Sequence, residues 1–178
     1  MKITVITGSP HKNGASALLA DRFSEGARNA GHEVFRFDAA FEETHPCLGC
    51  GRCNRSGPCV HRDAVDQKLL PRLLEADLVV FVTPLYYFGM SAQLKTVLDR
   101  FYSRHTELTA SKKKAALLAT AGSDWDWTMT ALAQHYQSLV KYLGWEDVGT
   151  VLAAGCGSRE LVERSAFPEQ ARRLGQEA

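Results

Sequence analysis

Four cysteines crowd one stretch of the chain. Cys47, Cys50, Cys53 and Cys59 give the spacing C-x2-C-x2-C-x5-C, and thiolates so close in sequence can converge from one compact loop, as an iron-sulfur cubane requires. Gly49, Gly51 and Gly57 lie among them and remove side chains that would obstruct the wrapping. Structural zinc more often uses two C-x2-C pairs separated by a longer stretch, so the tight triple suits iron and sulfide better and leaves zinc open. From Thr44 to Arg62 the chain carries Arg52, Arg55 and Arg62 and no Asp or Glu; these cations would offset the charge of four thiolates, or hold a nucleotide's phosphates. An ordinary loop that binds nothing is the third reading of the same residues. Cys156, in Ala153-Ala154-Gly155-Cys156-Gly157, stands outside the spacing and reads as a small, semi-buried residue without a role.

A second constellation is Gly8-Ser9-Pro10-His11-Lys12-Asn13-Gly14-Ala15-Ser16. It separates a buried strand from a helix, so its backbone N–H groups and serine hydroxyls sit at the positive end of a helix dipole, a site for a phosphate monoester. His11 and Lys12 add positive charge, and no carboxylate precedes Asp21. The loop has neither the Lys-Ser/Thr pair of the nucleotide P-loop nor G-x-G-x-x-G, which disfavours ATP and the usual dinucleotide fingerprint. A plain turn rich in Gly and Ser is the alternative. Thr83-Pro84-Leu85-Tyr86-Tyr87-Phe88-Gly89-Met90-Ser91 offers aromatic surface for a flat ring or a subunit contact. Thr120-Ala121-Gly122-Ser123-Asp124-Trp125-Asp126-Trp127 again places small residues before aromatics. No Ser-His-Asp or H-E-x-x-H pattern is present, so no side chain is assigned a nucleophilic or acid–base role.

The elements that must position these loops alternate. Ile3–Thr7 is a β-rich run, and Ala17, Leu18, Leu19, Ala20, Phe23 and Ala27 recur at helical spacing up to Gly31. Residues 32–38 alternate polar and apolar like an edge strand, and residues 64–75 place Val65, Leu69, Leu70, Leu73 and Leu74 on one helical face. Leu78–Val82 is apolar on both faces and belongs in mid-sheet. Ser91 is a candidate N-cap for a helix striped by Leu94, Val97, Leu98 and Phe101. A strand over 115–120, a helix over 128–143 ended by Gly144, a strand over 148–153 and a final polar, frayed helix near 159–173 complete five strands and five helices. Strand–helix alternation implies right-handed crossovers, a doubly wound α/β fold with helices on both faces, and a ligand at the C-terminal strand ends.

Composition narrows the rest. The 178 residues predict a single domain over 1–178, with the Cys-rich excursion over 44–62 as an insertion. A net charge of +1 lacks the positive field that nucleic acid requires. No apolar run approaches the ~20 residues that cross a bilayer, and no export signal is visible, so no membrane is expected, the location is read as cytoplasmic, and the cysteines are read as reduced.

Residues 1–125 resemble the flavodoxin-like NAD(P)H-dependent FMN reductases, and within them the iron-sulfur flavoproteins. The likeness rests on the 8–16 loop, on the run from Thr83 to Lys95 with Asp99-Arg100, and on the cysteine spacing. It implies a flavodoxin-like five-stranded parallel sheet of order 2-1-3-4-5. It implies FMN held by Ser9, His11, Asn13, Gly14, Ala15 and Ser16, with Thr83, Pro84, Leu85, Tyr86, Tyr87, Phe88, Gly89, Ala121 and Gly122 toward the flavin ring. It implies a 4Fe-4S cluster on Cys47, Cys50, Cys53 and Cys59, and NAD(P)H as hydride donor. The expected activity is electron transfer from NAD(P)H through FMN to a quinone, flavin, nitro or azo compound, or a carrier. The rivals are a flavodoxin-like electron carrier without turnover and a flavin-free domain clipped by zinc. Tyr86, Tyr87, Phe88, Trp125 and Trp127 at one rim predict a homodimer or homotetramer.

Overall fold

A computed structural model of the chain describes residues 1–55 and 57–178. Its strands are β1 (Lys2–Thr7), β2 (Glu33–Asp38), β3 (Leu78–Tyr86), β4 (Gly89–Met90), β5 (Lys114–Thr120) and β6 (Glu146–Ala153). Five run parallel in the order β2-β1-β3-β5-β6, and the two-residue β4 pairs antiparallel with the end of β3. With β4 set aside, this is the 2-1-3-4-5 order expected of a flavodoxin-like sheet. The central strands β1 and β3 are the most apolar, because a parallel sheet covered on both faces buries both sides of its middle strands.

The pleat sorts their side chains between two cores. Val79 and Phe81 of β3 and Ile6 of β1 join one core, with Leu69 and Leu73 of α3 (Leu70–Glu75) and its preceding turn, Leu94 and Val97 of α4 (Ala92–Asp99), and Leu132 and Tyr136 of α6 (Thr130–Leu143). Leu78, Val80, Val82, Ile3 and Val5 join the other, with Leu18, Leu19 and Phe23 of α1 (Ala15–Asn29), Val162 of α7 (Arg159–Glu163) and Ala171 of α8 (Phe167–Gln176). Gly31 (φ +84°) and Gly144 (φ +70°) take the left-handed conformation that ends α1 and α6.

Several expectations need correction. The segment near 159–173 is two helices rather than one frayed helix, and α8 is fixed by close backbone contact with α1. A Cβ on Gly26 would lie 1.9 Å from the Arg172 carbonyl oxygen, and one on Gly175 would lie 2.1 Å from that of Phe23. Polarity concealed this docking because the contact is made by glycines and Ala171, not by a large apolar stripe. The 64–75 helix begins as a π-turn over Val65–Leu69. After α4 the chain continues through a 3-10 turn (Arg100–Arg104) into α5 (His105–Ala110), so the helices exceed five. Strand β3 does not end with the apolar run at Val82 but continues through Thr83-Pro84 to Tyr86, because Pro84 stays in register with Thr120 on one side while the pairing with β1 has ended at Val82.

Candidate functional site

The C-terminal ends of β1, β3, β5 and β6 enclose a cleft of about 180 Å³. The loop after β1 supplies Ser9, His11, Gly14, Ala15 and Ser16; the end of β3 supplies Pro84, Leu85 and Tyr86; the loop after β5 supplies Ala121 and Gly122. The α1 N-terminus at this cleft has Gly14 as N-cap, no side chain bonded to its first-turn N–H groups and no acid in its first turn. Such N–H groups can donate to an anion. Ser9 Oγ accepts from the His11 N–H (3.2 Å), and Ser16 Oγ shares a buried hydrogen bond with Thr120 Oγ1 (2.7 Å), tying α1 to β5.

The first two loops are locked to each other. The Gly8 N–H donates to the Val82 carbonyl (2.8 Å), and Ser91 Oγ donates to the Gly8 carbonyl (2.7 Å). Ser91 caps α4 by accepting from the Leu94 N–H (3.3 Å), and its own N–H donates to Thr83 Oγ1 (2.9 Å). Thr83 is therefore fully buried in this joint and does not line the cleft. Asn13, Tyr87, Phe88 and Gly89 also fall outside its lining. Lys12 turns away and lies over the Phe41 ring, 5.0 Å from its centroid.

Tyr87 (φ 47°) and Phe88 (φ 62°) form the two-residue turn between β3 and β4. Both angles are positive, the signature of a type I′ hairpin that normally takes Asn and Gly. The turn leaves Tyr87 wholly exposed and lays Phe88 against Trp127, with ring centroids 4.8 Å apart; Trp127 stacks on Trp125 at 5.0 Å.

Cys156, Gly157, Ser158 and Arg159 also line the cleft, and sequence reasoning missed them. They arrive because the loop after β6 folds onto the loop after β5: the Cys156 N–H donates to the Ala121 carbonyl (2.7 Å) and the Gly155 N–H to that of Ser123 (2.9 Å). A Cβ on Gly157 would lie 3.0 Å from the Gly122 Cα. The available signal was the small-residue pair Gly155 and Gly157 facing Ala121 and Gly122. Cys156 is buried rather than semi-buried.

The four clustered cysteines form no disulfide among the described residues and line a separate cavity of about 530 Å³, with Leu48, Val60, His61 and Tyr102 among its walls. Gly49 (φ +62°) and Gly51 (φ +67°) bend the loop, and the single-turn helix α2 (Arg52–Arg55) carries Cys53. Two of the three loop arginines are engaged elsewhere: Arg55 donates to the Cys50 carbonyl (2.9 Å), and Arg62 pairs with Asp66 (3.0 Å). The buried cation beside the loop is Arg100, whose Nη1 lies 2.7 Å from Asp63 Oδ2, both side chains almost fully buried. Arg100 Nη1 also donates to the His45 carbonyl (3.0 Å). Burial alone would raise Asp63, but hydrogen bonds from Arg100 and the His45 N–H outweigh it and hold the carboxyl down at about 2. His45, His61 and Asp63 gather three ligand atoms within 4.8 Å, yet the Arg100 guanidinium on Asp63 opposes a cation there.

The match to the family described as NADPH-dependent FMN reductase covers residues 1–158. An iron-sulfur flavoprotein of Archaeoglobus fulgidus is 39% identical over 56% of this chain and 45% of its own length. One of Methanosarcina thermophila is 32% identical over 69% of this chain and 64% of its own length. The chain thus spans about half the length of the curated relatives it matches. Among solved structures, an NAD(P)H:quinone oxidoreductase from Methanothermobacter marburgensis superposes with a TM-score of 0.75 at 21% identity, over 98% of this chain and 94% of that one. With its sheet order, its uncapped α1 and its match over residues 1–158, this chain belongs to the NADPH-dependent FMN reductase family of oxidoreductases.

Proposed function

We propose that the chain binds FMN in the cleft above β1, β3, β5 and β6, takes hydride from NAD(P)H and passes the electrons to a small-molecule acceptor of the quinone class. The observation that carries this reading is the meeting of an uncapped α1 N-terminus with the Pro84–Tyr86 and Ala121–Gly122 backbone in one cleft. The N–H groups of Ala15 and Ser16 and the Ser9 hydroxyl would hold the phosphate, and Pro84, Leu85 and Tyr86 would flank the ring. FMN supplies the hydride and electron chemistry when bound. The side chains around it position the ring and exclude water, and none is assigned a proton-transfer role. Titration of flavin fluorescence tests this: Ser9→Asp places a carboxylate where the phosphate charge would lie and weakens FMN at least tenfold. Unchanged affinity refutes the cleft assignment. Steady NAD(P)H oxidation with a quinone separates the enzyme from an electron carrier without turnover.

Cys47, Cys50, Cys53 and Cys59 are read as ligands of a four-iron cluster. Support comes from the C-x2-C-x2-C-x5-C spacing and from the four residues lining one cavity. Iron and sulfide analysis of protein purified without oxygen tests this, with about four irons per chain expected; stoichiometric zinc refutes it.

The aromatic rim of Tyr87, Phe88, Trp125 and Trp127 is read as a contact with a second copy of the chain. Tyr87 holds a strained backbone angle while gaining no burial, and such an outlier points to a use outside the isolated chain. Light scattering of wild type and Tyr87→Asp tests it; equal masses refute it.

A further inference from the structure

Arg100 is the most deeply buried cation described in the chain, with 1% of its surface exposed, and only one edge of its guanidinium is used. Nη1 is satisfied by Asp63 Oδ2 and the His45 carbonyl. Nε and Nη2 are buried and find no partner among the described protein atoms. A guanidinium has five donors in a fixed fork, and two of its nitrogens here have no protein partner among the described residues, which is costly for buried donors. Something must face them.

The nearby candidate is the sulfur of Cys59: Asp99 and Tyr102, which bracket Arg100 in the chain, line the cavity of the four cysteines, and α2 packs against the 3-10 turn that begins at Arg100. Cys59 also lines the cavity that holds the other three cysteines. The orientation follows from the partners on the opposite edge. Asp63 is itself fixed, since its Oδ1 accepts from the N–H groups of Val65 (3.2 Å) and Asp66 (3.4 Å) and its Oδ2 from the His45 N–H (2.9 Å). Asp63 therefore holds Arg100 by one edge and leaves the other without a protein partner among the described residues.

We propose that Arg100 is a positioning residue for the cluster: its Nε and Nη2 donate hydrogen bonds to the Cys59 sulfur or an adjacent sulfide and set how readily the cluster accepts an electron, with Asp63 as orienter and counter-charge. This rests on the cluster reading above. A cluster with four thiolates is anionic and becomes more so on reduction, so N–H donors and uncompensated positive charge near its sulfurs favour the reduced form. Two of the three loop arginines are already used, Arg55 on the Cys50 carbonyl and Arg62 on Asp66.

The test uses protein loaded with its cluster under anaerobic conditions, with the potential read by mediated titration and the Fe–S stretching bands by resonance Raman. Arg100→Lys keeps a cation for Asp63 but loses the fork toward Cys59. It lowers the reduced-to-oxidised ratio at a fixed potential at least tenfold, about 59 mV for one electron, and shifts the Fe–Sγ bands. Asp63→Asn removes the counter-charge while retaining an acceptor for Arg100, and moves the potential in the opposite direction. Opposed signs are what loosening of the loop alone does not produce. Loaded variants whose potentials match wild type, or that shift the same way, overturn the proposal. Should Arg100→Lys fail to fold, Asp63→Asn alone decides, since a rise supports the proposal and a fall or no change overturns it. A wild type that carries no iron overturns the underlying cluster reading instead, a result separate from a cluster indifferent to Arg100.

Discussion

Gly8→Ala probes the joint between the two loops that frame the cleft. A methyl group there would lie 2.3 Å from Ser91 Oγ, 2.6 Å from Leu94 Cβ and 3.0 Å from the Leu94 nitrogen. Ordinary contact needs about 3.5–4.0 Å between carbons, so the start of α4 must retreat by roughly an ångström from the loop after β1. Two bonds stand in the way. Ser91 Oγ donates to the Gly8 carbonyl and accepts from the Leu94 N–H, so the retreat breaks a buried hydrogen bond and a helix cap together. Overpacking costs about 1–3 kcal/mol and loss of a cap about 1 kcal/mol, giving an expected destabilisation of about 3 kcal/mol, and the phosphate loop and ring loop no longer keep their spacing. Urea unfolding of the protein without flavin measures the first effect and quenching of flavin fluorescence the second, with FMN at least tenfold weaker. Gly144→Ala is the control: its Cβ meets nothing within 4 Å, so only the left-handed angle is strained, and it loses stability without losing FMN. If Gly8→Ala stays within about 0.5 kcal/mol of wild type and binds FMN normally, the reasoning about the joint is wrong.

Gly26→Ala drives a methyl into the Arg172 carbonyl at 1.9 Å; α8 detaches, the protein loses about 2–3 kcal/mol, and amide exchange over 167–176 speeds up to that of an open segment. Tyr87→Gly relieves a positive φ at a residue without burial, so the monomer gains about 1 kcal/mol in thermal unfolding while self-association weakens. Asp63 falls from 3.8 to about 2 on folding, so its share of stability is fully present above pH 4 and is lost as pH falls toward 2. This amounts to about 2 kcal/mol; urea midpoints at pH 5 and pH 2.5 separate wild type from Asp63→Asn, whose decline in that window is smaller by this amount.

The alternation of strands and helices was legible because it depends on apolar runs and turn chemistry, both local, whereas the sheet order came only with the resemblance to a known family. Gly31, Ser91 and Gly144 each do what their types announce. The joint at Thr83 was not legible, since the same threonine could face a cleft or a helix cap, and only the return of Ser91 decides. Lys12 looked like part of an anion site by proximity in sequence, yet Phe41 on the loop after β2 captures it. Cys156 to Arg159 were hidden because their place in the cleft is set by backbone contact between two loops far apart in sequence, for which Gly155 and Gly157 are the only mark. Arg100 carried a resemblance in sequence, but its buried partnership with Asp63 spans distant segments and leaves no periodic trace.

The contact between α1 and α8 has a bearing on how the cleft comes into being. Gly26 and Gly175 let two helices from opposite ends of the described chain touch backbone to backbone, and α1 is the helix whose first turn faces the cleft. Ordering of that turn is therefore coupled to the docking of residues 167–176, a contact of high sequence separation. A proteolytic nick between α7 and α8 would leave the sheet standing and yet loosen the grip on an anion far from the cut.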